Sequence, residues 1–265
     1  MKYSKEEIAL ALEKLGLMKG DSLFVHSNIG FFGILENTKN IDDVCEMFFD
    51  SIFELIGAEG TIFVPAFTYS FSRGEVFDPL KPPKMGAFSD WFFKHPDSIR
   101  SHDPSFSVIG IGKKALSMTK DLPSNSFGKD CFFERFYKIN GKILNLNFDA
   151  GSTFIHYFER LLDVPYRFDK TFEGTSHING RNKVMKTTIY VRYLSDDMLE
   201  YSSTLFTKAA SKRSYFNQQT IGRGSAGIIS TEDTFQLIKE EIADSPFFLT
   251  KAGIMGIDNP IIKKE

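Results

Sequence analysis

Short apolar runs alternate with polar, turn-forming stretches, and the period of the pattern changes along the chain. Ser4 and Glu7 are spaced as a capping box. Ile8, Leu12 and Leu15 then recur on one helical face. After the turn at Lys19-Gly20-Asp21, residues Ser22 to His26 read as a short buried strand. Asn40 is placed to cap a second helix, with Asp42 and Asp43 in its first turn, the favourable sign for that end of the dipole. Its apolar stripe is Ile41, Val44, Cys45, Phe48, Ile52, Leu55 and Ile56. Strands are predicted at Thr61–Val64, closed by Pro65, at Phe106–Ile111 and at Lys142–Asn147. A helix is expected from Ser152 to Leu162, and a partly exposed strand from Thr187 to Leu194.

Strands alternating with helices predict an α/β fold. The expected architecture is a central, mostly parallel or mixed sheet flanked by helices, with the second half more antiparallel. No Pro/Gly/Ser linker divides the chain, so residues 1–265 are read as a single domain. The tail Ile261–Glu265 is expected to fray. No repeat or low-complexity tract is visible.

Composition narrows the class. Lys and Arg number 32 against 34 Asp and Glu, a net charge of −2, which argues against a nucleic-acid footprint over the whole chain. With 42% hydrophobic residues the chain is not a disordered acidic one. The polar N-terminus and the lack of a long apolar window predict a cytoplasmic protein with no membrane partner. Cys45 and Cys131 fit neither a zinc site nor a disulfide framework and are read as reduced thiols.

Candidate chemistry concentrates in three segments. His156 and Glu159 stand three apart in a predicted helix, so their side chains share a face. An imidazole beside a carboxylate suits a general base, and a hydrogen-bonded core histidine gives the same spacing. No HExxH pattern accompanies the pair, and no metal is expected. The second segment is His26-Ser27-Asn28, at the end of the first strand, with Gly30 and Gly33 beyond; it is neither a P-loop nor GxGxxG. His26 and Ser27 are neighbours on a strand and point to opposite faces, so they do not form a nucleophile pair. The third, Arg100 to Ser107, places one Arg and three hydroxyls around a proline-fixed turn, a composition able to grip phosphate or to form a solvated loop.

Taken together, these segments resemble the aminoglycoside 3-N-acetyltransferase family. Gly20-Asp21-Ser22-Leu23-Phe24-Val25-His26-Ser27 is similar to its G-D-x-L-x-V-H-S opening. Residues 60–68, Gly-Thr-Ile-Phe-Val-Pro-Ala-Phe-Thr, resemble G-T-L-x-x-P-T-F-T. Phe77-Asp78-Pro79, Pro83-Lys84-Met85-Gly86, the 100–107 segment and Thr153 to Glu159 follow in the family's order. The match is strong over roughly residues 16–170. It implies acyl transfer from acetyl-CoA, or another acyl-CoA, to an amine of an aminosugar by direct attack within a ternary complex. His156 is then the general base, with Glu159, Asp149 or Asp103 as its orienting carboxylate. The resemblance assigns coenzyme A contacts to His26, Ser27, Asn28, Phe32, Gly33, Arg100, Ser101 and Ser107. Thr68, Tyr69, Asp149 and Tyr166 are the expected substrate contacts. The backbone N–H groups of Ser27 and Asn28, or the Thr68 hydroxyl, are candidate donors to the developing oxyanion.

Departures from the family bear on the acceptor. Asp103 stands where the resemblance leads one to expect His, Ala66 where it leads one to expect Thr, and the Asp usual six places before the histidine falls on Ala150, with Asp149 one place earlier. Arg167, Lys170, Arg181, Lys183 and Lys186 crowd the following region. These cations favour a nucleotide-linked aminosugar of surface-polysaccharide synthesis over a polycationic aminoglycoside. The aminoglycoside acceptor is the alternative, and a non-catalytic coenzyme A or sugar-binding homologue is the alternative of another class. Apolar aromatic faces permit a homodimer.

Overall fold

The computed structural model describes residues 1–263. Its strands are β1 (Lys2–Tyr3), β2 (Ser22–Ser27), β3 (Ile34–Leu35), β4 (Thr61–Pro65), β5 (Ile99–Arg100), β6 (Val108–Gly112), β7 (Lys142–Leu146), β8 (Arg167–Ile178), β9 (Arg181–Arg192), β10 (Asn217–Ile221) and β11 (Gly224–Ser230). The helices are α1 (Lys5–Lys14), α2 (Ile41–Ile56), α3 (Ala87–Lys94), α4 (Ala115–Thr119), α5 (Phe132–Lys138), α6 (Ile155–Leu161), α7 (Thr204–Lys212), α8 (Thr231–Asp244) and α9 (Lys251–Met255).

Seven strands form a mixed sheet in the order β10-β11-β7-β2-β4-β6-β5. Only β7, β2 and β4 run parallel; both flanks are antiparallel. Strand β2 is therefore central and buried on both faces. Its alternation sends Leu23 and Val25 into the core under α1, α2 and α3, and Phe24 into the core under α5, α6 and α8. Phenylalanine dominates that second layer. Phe24, Phe63, Phe132 and Phe136 meet at ring centroids 5.1–6.2 Å apart, mostly tilted or edge-to-face.

The expected capping box forms between Ser4 and Glu7, and Asn40 caps α2 as expected, in a box that Asp43 completes. In the stripe of α2, Cys45, Phe48, Ile52 and Ile56 are buried, whereas Ile41 is exposed. Both thiols are buried, and burial pushes each up to about 12, so they stay protonated. Three boundaries differ from the predicted pattern. The strand expected from Phe106 begins at Val108, because the Phe106 N–H is taken by the Asp103 carboxylate. The helix expected from Ser152 begins at Ile155: residues 152–157 close with i to i+3 bonds, so His156 sits in the first helical turn. The strand at Thr187 is half of a long hairpin, β8–β9, that turns at Asn179 and Gly180, both at positive φ. The expected fraying of the tail does not extend to Ile261 and Lys263, whose N–H groups bond Asp196 and Ser195. Lys264 and Glu265 lie outside the described residues. Among the described residues no helix is long and apolar enough to cross a membrane.

Candidate active site

The site forms where β2 and β7 end side by side, with His26 opposite Asn145 and Ser27 opposite Leu146. Ligands of open α/β sheets gather beyond such carboxyl ends. Strand β7 stops at Asn147, whose positive φ turns the chain. The Asn147 amide donates to Asn28 O at 3.1 Å while its carbonyl accepts from Ser225 N at 3.0 Å. The fully buried Asn145 donates to the Asp149 and Gly151 carbonyls, which shapes the loop leading into α6.

His156 Nδ1 lies 2.5 Å from Glu159 Oε2. Glu159 is fully buried, and its Oε1 accepts from the Tyr166 hydroxyl at 2.7 Å. Arg167 Nε stands 2.8 Å from Oε2 as a charge contact rather than an aligned hydrogen bond. A carboxylate only accepts, so Nδ1 carries the proton and Nε2 presents its lone pair. Burial alone would raise the Glu159 carboxyl; Arg167, then His156 and Tyr166, more than offset this and hold it below the ordinary carboxylate range. Burial, then the Arg167 charge, holds the His156 imidazole below its usual value against the pull of Glu159. The ring is thus neutral at neutral pH.

Of the three candidate carboxylates, Glu159 is the one bonded to the ring. Asp149 accepts from Gly151 N at 2.8 Å and Ser203 Oγ at 2.5 Å. Asp103 is buried on a separate loop and accepts from Ser105 N and Phe106 N. That loop is linked to His156 through packed rings: Phe106 on Phe127 at 4.7 Å, and Phe127 on His156 at 6.2 Å.

A cavity of about 520 Å³ is lined by His26, Asp149, Ser152, Tyr201 and Ser203 among others. Tyr201 meets the His156 ring edge-on at 5.2 Å. His26 points to the face of β2 that carries Phe24, and its Nε2 lies 2.7 Å from Ser152 Oγ. The histidine does pair with a serine, but one 126 residues away rather than its neighbour Ser27. Burial lowers the His26 imidazole to about 4. A larger groove of about 1100 Å³ lies between the Arg100–Pro104 loop, the segment after α4 and the far end of the β8–β9 hairpin. Lys120, Arg181, Lys183 and Lys186 line it, against Asp103 and Asp121.

Several expected ligand contacts are occupied by the fold itself. Arg100 donates to Ser107 Oγ and to the carbonyls of Ala66, Pro79 and Lys81. Ser101 Oγ accepts from Val108 N, and Ser107 Oγ donates to Ala66 O. Phe32 is fully buried against Tyr3 and Phe48. Gly33, at φ 112°, leaves no room for a Cβ, which would fall 2.6 Å from Met1 O. The Asn28 N–H bonds Leu146 O at 2.9 Å, and the Thr68 hydroxyl bonds Pro104 O at 2.7 Å. Tyr69, at positive φ, packs on Phe106. Tyr166 is fully buried and touches Glu159, not the cavity. Arg167, read from the sequence as a cation for substrate, is the charge partner of Glu159. Ser152 and Tyr201 carried no motif of their own.

A mixed α/β sheet with a histidine bound to a buried carboxylate and packed on a cavity-lining tyrosine defines a fold and site suited to proton removal from a bound nucleophile. The family model described as aminoglycoside 3-N-acetyltransferase matches residues 24–243, and the chain belongs to this family. Among curated relatives, the aminoglycoside N(3)-acetyltransferase III of Acinetobacter baumannii is 24% identical over 222 residues, 75% of this chain and 74% of that one. The enzyme of the same name from Salmonella sp. is equally similar over the same span. Among solved structures, aminoglycoside acetyltransferase AAC(3)-Xa superposes with a TM-score of 0.76 at 16% identity, covering 92% of this chain and 93% of that one. AAC-VIa bound to sisomicin gives 0.77 at 20% over 92% and 98%, and AAC-IIIb with CoASH gives 0.73 at 19% over 91% and 98%. They share the fold of this chain.

Proposed function

We propose that this protein transfers the acetyl group of acetyl-CoA to an amine of an aminoglycoside or a closely related aminosugar. The observation that carries the reading is the His156–Glu159 pair, 2.5 Å apart, with Glu159 fully buried and the His156 ring packed on Tyr201, which lines a cavity together with Asp149. The acceptor enters as an ammonium, for which Asp149 is a local counter-charge. His156 Nε2 takes a proton from it, and the freed nitrogen attacks the thioester carbon. The nitrogen gives up its second excess proton as the C–S bond breaks, and coenzyme A leaves as a thiolate that takes up a proton in its place. Glu159 holds the ring in the needed tautomer and stabilises the imidazolium that forms. Such proton removal is typically worth ~10²- to 10⁴-fold.

Lys120, Arg181, Lys183 and Lys186 suit the phosphates of acyl-CoA, so the basic groove is assigned to the donor. This weakens the case for a nucleotide-linked acceptor, which rested on the same cations. The family and the named relatives favour an aminoglycoside. Within this reading residues 1–263 act as one acyltransferase domain.

The test is thiol release from acetyl-CoA against a panel of aminoglycosides and a panel of nucleotide-linked amino-deoxysugars, with His156→Ala as control. Turnover of aminoglycosides, lost in the variant, is expected. Turnover confined to sugar nucleotides overturns the choice of acceptor. Binding of acetyl-CoA with no amine acylated overturns the reading as an enzyme.

A further inference from the structure

Attack on a thioester builds negative charge on the carbonyl oxygen, and a pre-placed donor lowers that barrier only if its hydrogen is not already used. Two of the donors expected from the sequence are spent: the Asn28 N–H on Leu146 O and the Thr68 hydroxyl on Pro104 O. Tyr201 is different. Its hydroxyl is buried and donates its hydrogen to no protein group, while the Ser152 N–H faces its oxygen. A buried hydroxyl left unpaired is costly, and such groups in a native fold call for an explanation. The residue lines the same cavity as Asp149, and its ring touches His156 edge-on.

The placement of Tyr201 is imposed by its backbone. It forms an antiparallel bridge with Thr250. Its neighbours are tied to the same segment, Ser202 N to Leu249 O and Lys251 N to Glu200 O, each at 2.9 Å. The ring therefore does not depend on its hydroxyl for its position.

We propose that Tyr201 is a catalytic residue, whose hydroxyl donates a hydrogen bond to the thioester carbonyl oxygen as the acceptor nitrogen attacks under His156. The proposal rests on the acyl-transfer reading above. No proton leaves Tyr201 at any step; the bond strengthens as charge develops on the oxygen and relaxes when the C–S bond breaks. Burial first, then the Glu159 and Asp149 charges, hold the phenol well above its usual value, so it remains a donor across the working pH range.

The experiment is Tyr201→Phe, compared with wild type in steady-state kinetics and thermal unfolding. The expected result is a fall in kcat of about 10²-fold, with KM for acetyl-CoA and for the amine within about threefold of wild type. The melting temperature is expected to stay level or rise, because the substitution deletes a donor that no protein group accepts. An unchanged kcat overturns the proposal. A raised KM at constant kcat also overturns it, since the hydroxyl would then bind the ground state and transition state alike. A wild type that binds acetyl-CoA but acylates no amine overturns the underlying reading and this inference with it, whereas a full-rate Tyr201→Phe beside an inactive His156→Ala overturns this inference alone.

Discussion

Glu159→Gln is the most informative single change, because one carboxylate serves three neighbours. It bonds the His156 ring, accepts from Tyr166 and faces the Arg167 charge, and it is fully buried. The variant is nearly isosteric but neutral, so Arg167, only 7% exposed, is left buried without its partner. Breaking a buried ion pair from one side costs about 3–5 kcal/mol of stability. Catalysis is lost by a separate route. If the new amide turns its oxygen to His156 Nδ1, the tautomer survives and only stabilisation of the imidazolium is lost. If it turns its N–H, Nε2 becomes the protonated nitrogen and cannot act as base. The two orientations bracket a fall in kcat of roughly 10²- to 10⁴-fold. The acid limb of kcat/KM supplies a sign test. Glu159 raises the His156 value and Arg167 lowers it. Removing Glu159 therefore moves the limb to lower pH, and Arg167→Met moves it to higher pH. The assay is a pH–rate profile by thiol release, run below the melting temperature of each variant. A Glu159→Gln protein with kcat within threefold of wild type, or an acid limb shifted upward, refutes the reasoning.

Three further outcomes follow from the same geometry. His26, held neutral with its value lowered to about 4, contributes stability that is complete above about pH 6.5 and is lost as pH falls toward 4. The full shift corresponds to at most about 3 kcal/mol, and His26→Gln should flatten that part of a stability–pH curve from chemical denaturation. Arg100→Gln should cost about 3 kcal/mol or more, since the guanidinium ties together four residues, with KM for acetyl-CoA little changed at low temperature. A large rise in KM without loss of stability would instead make Arg100 a ligand contact. Charge reversal at Arg181 and Lys183 should raise KM for acetyl-CoA at unchanged kcat, and the effect should shrink in high salt; equal kinetics at low salt would remove the groove as the donor site.

The parts of the fold that were legible are those where a local rule decides. A capping box at Ser4 and a cap at Asn40 announce α1 and α2, and apolar runs at residues 22–26 and 142–147 announce the two strands that meet at the site. The β8–β9 hairpin was not legible as such. Strand β8 is mostly half-buried, with Ser176 its one buried residue, so it has no buried apolar alternation, and the Asn179-Gly180 turn is what marks it. The late start of α6 was hidden for a related reason. Ser152 looks like a cap, but its hydroxyl accepts from Phe154 N and pairs with His26, which tightens the entry into a 3₁₀-like turn.

The site divides along the same line. His156 and Glu159 are neighbours in sequence, so helical spacing alone brings them together. Their supports come from afar: Tyr201 from the loop before α7, Ser152 across to His26, and Arg167 by reversal of an apparent role. Arg167 shows why composition misleads here. A cation counted on the surface belongs to whatever buried carboxylate it neutralises, and this one helps keep the fully buried Glu159 ionised. Arg100 makes the same point, its donors closing a turn rather than a phosphate clamp. Once these two are set aside, Lys120, Arg181 and Lys183 remain as cations lining one groove without a carboxylate partner among the described residues, whereas Lys186 also pairs with Glu173. Under the proposed reading, the charge first taken as selecting the acceptor goes to the donor, and the smaller cavity around Asp149 and Tyr201 is the proposed site of amine selection.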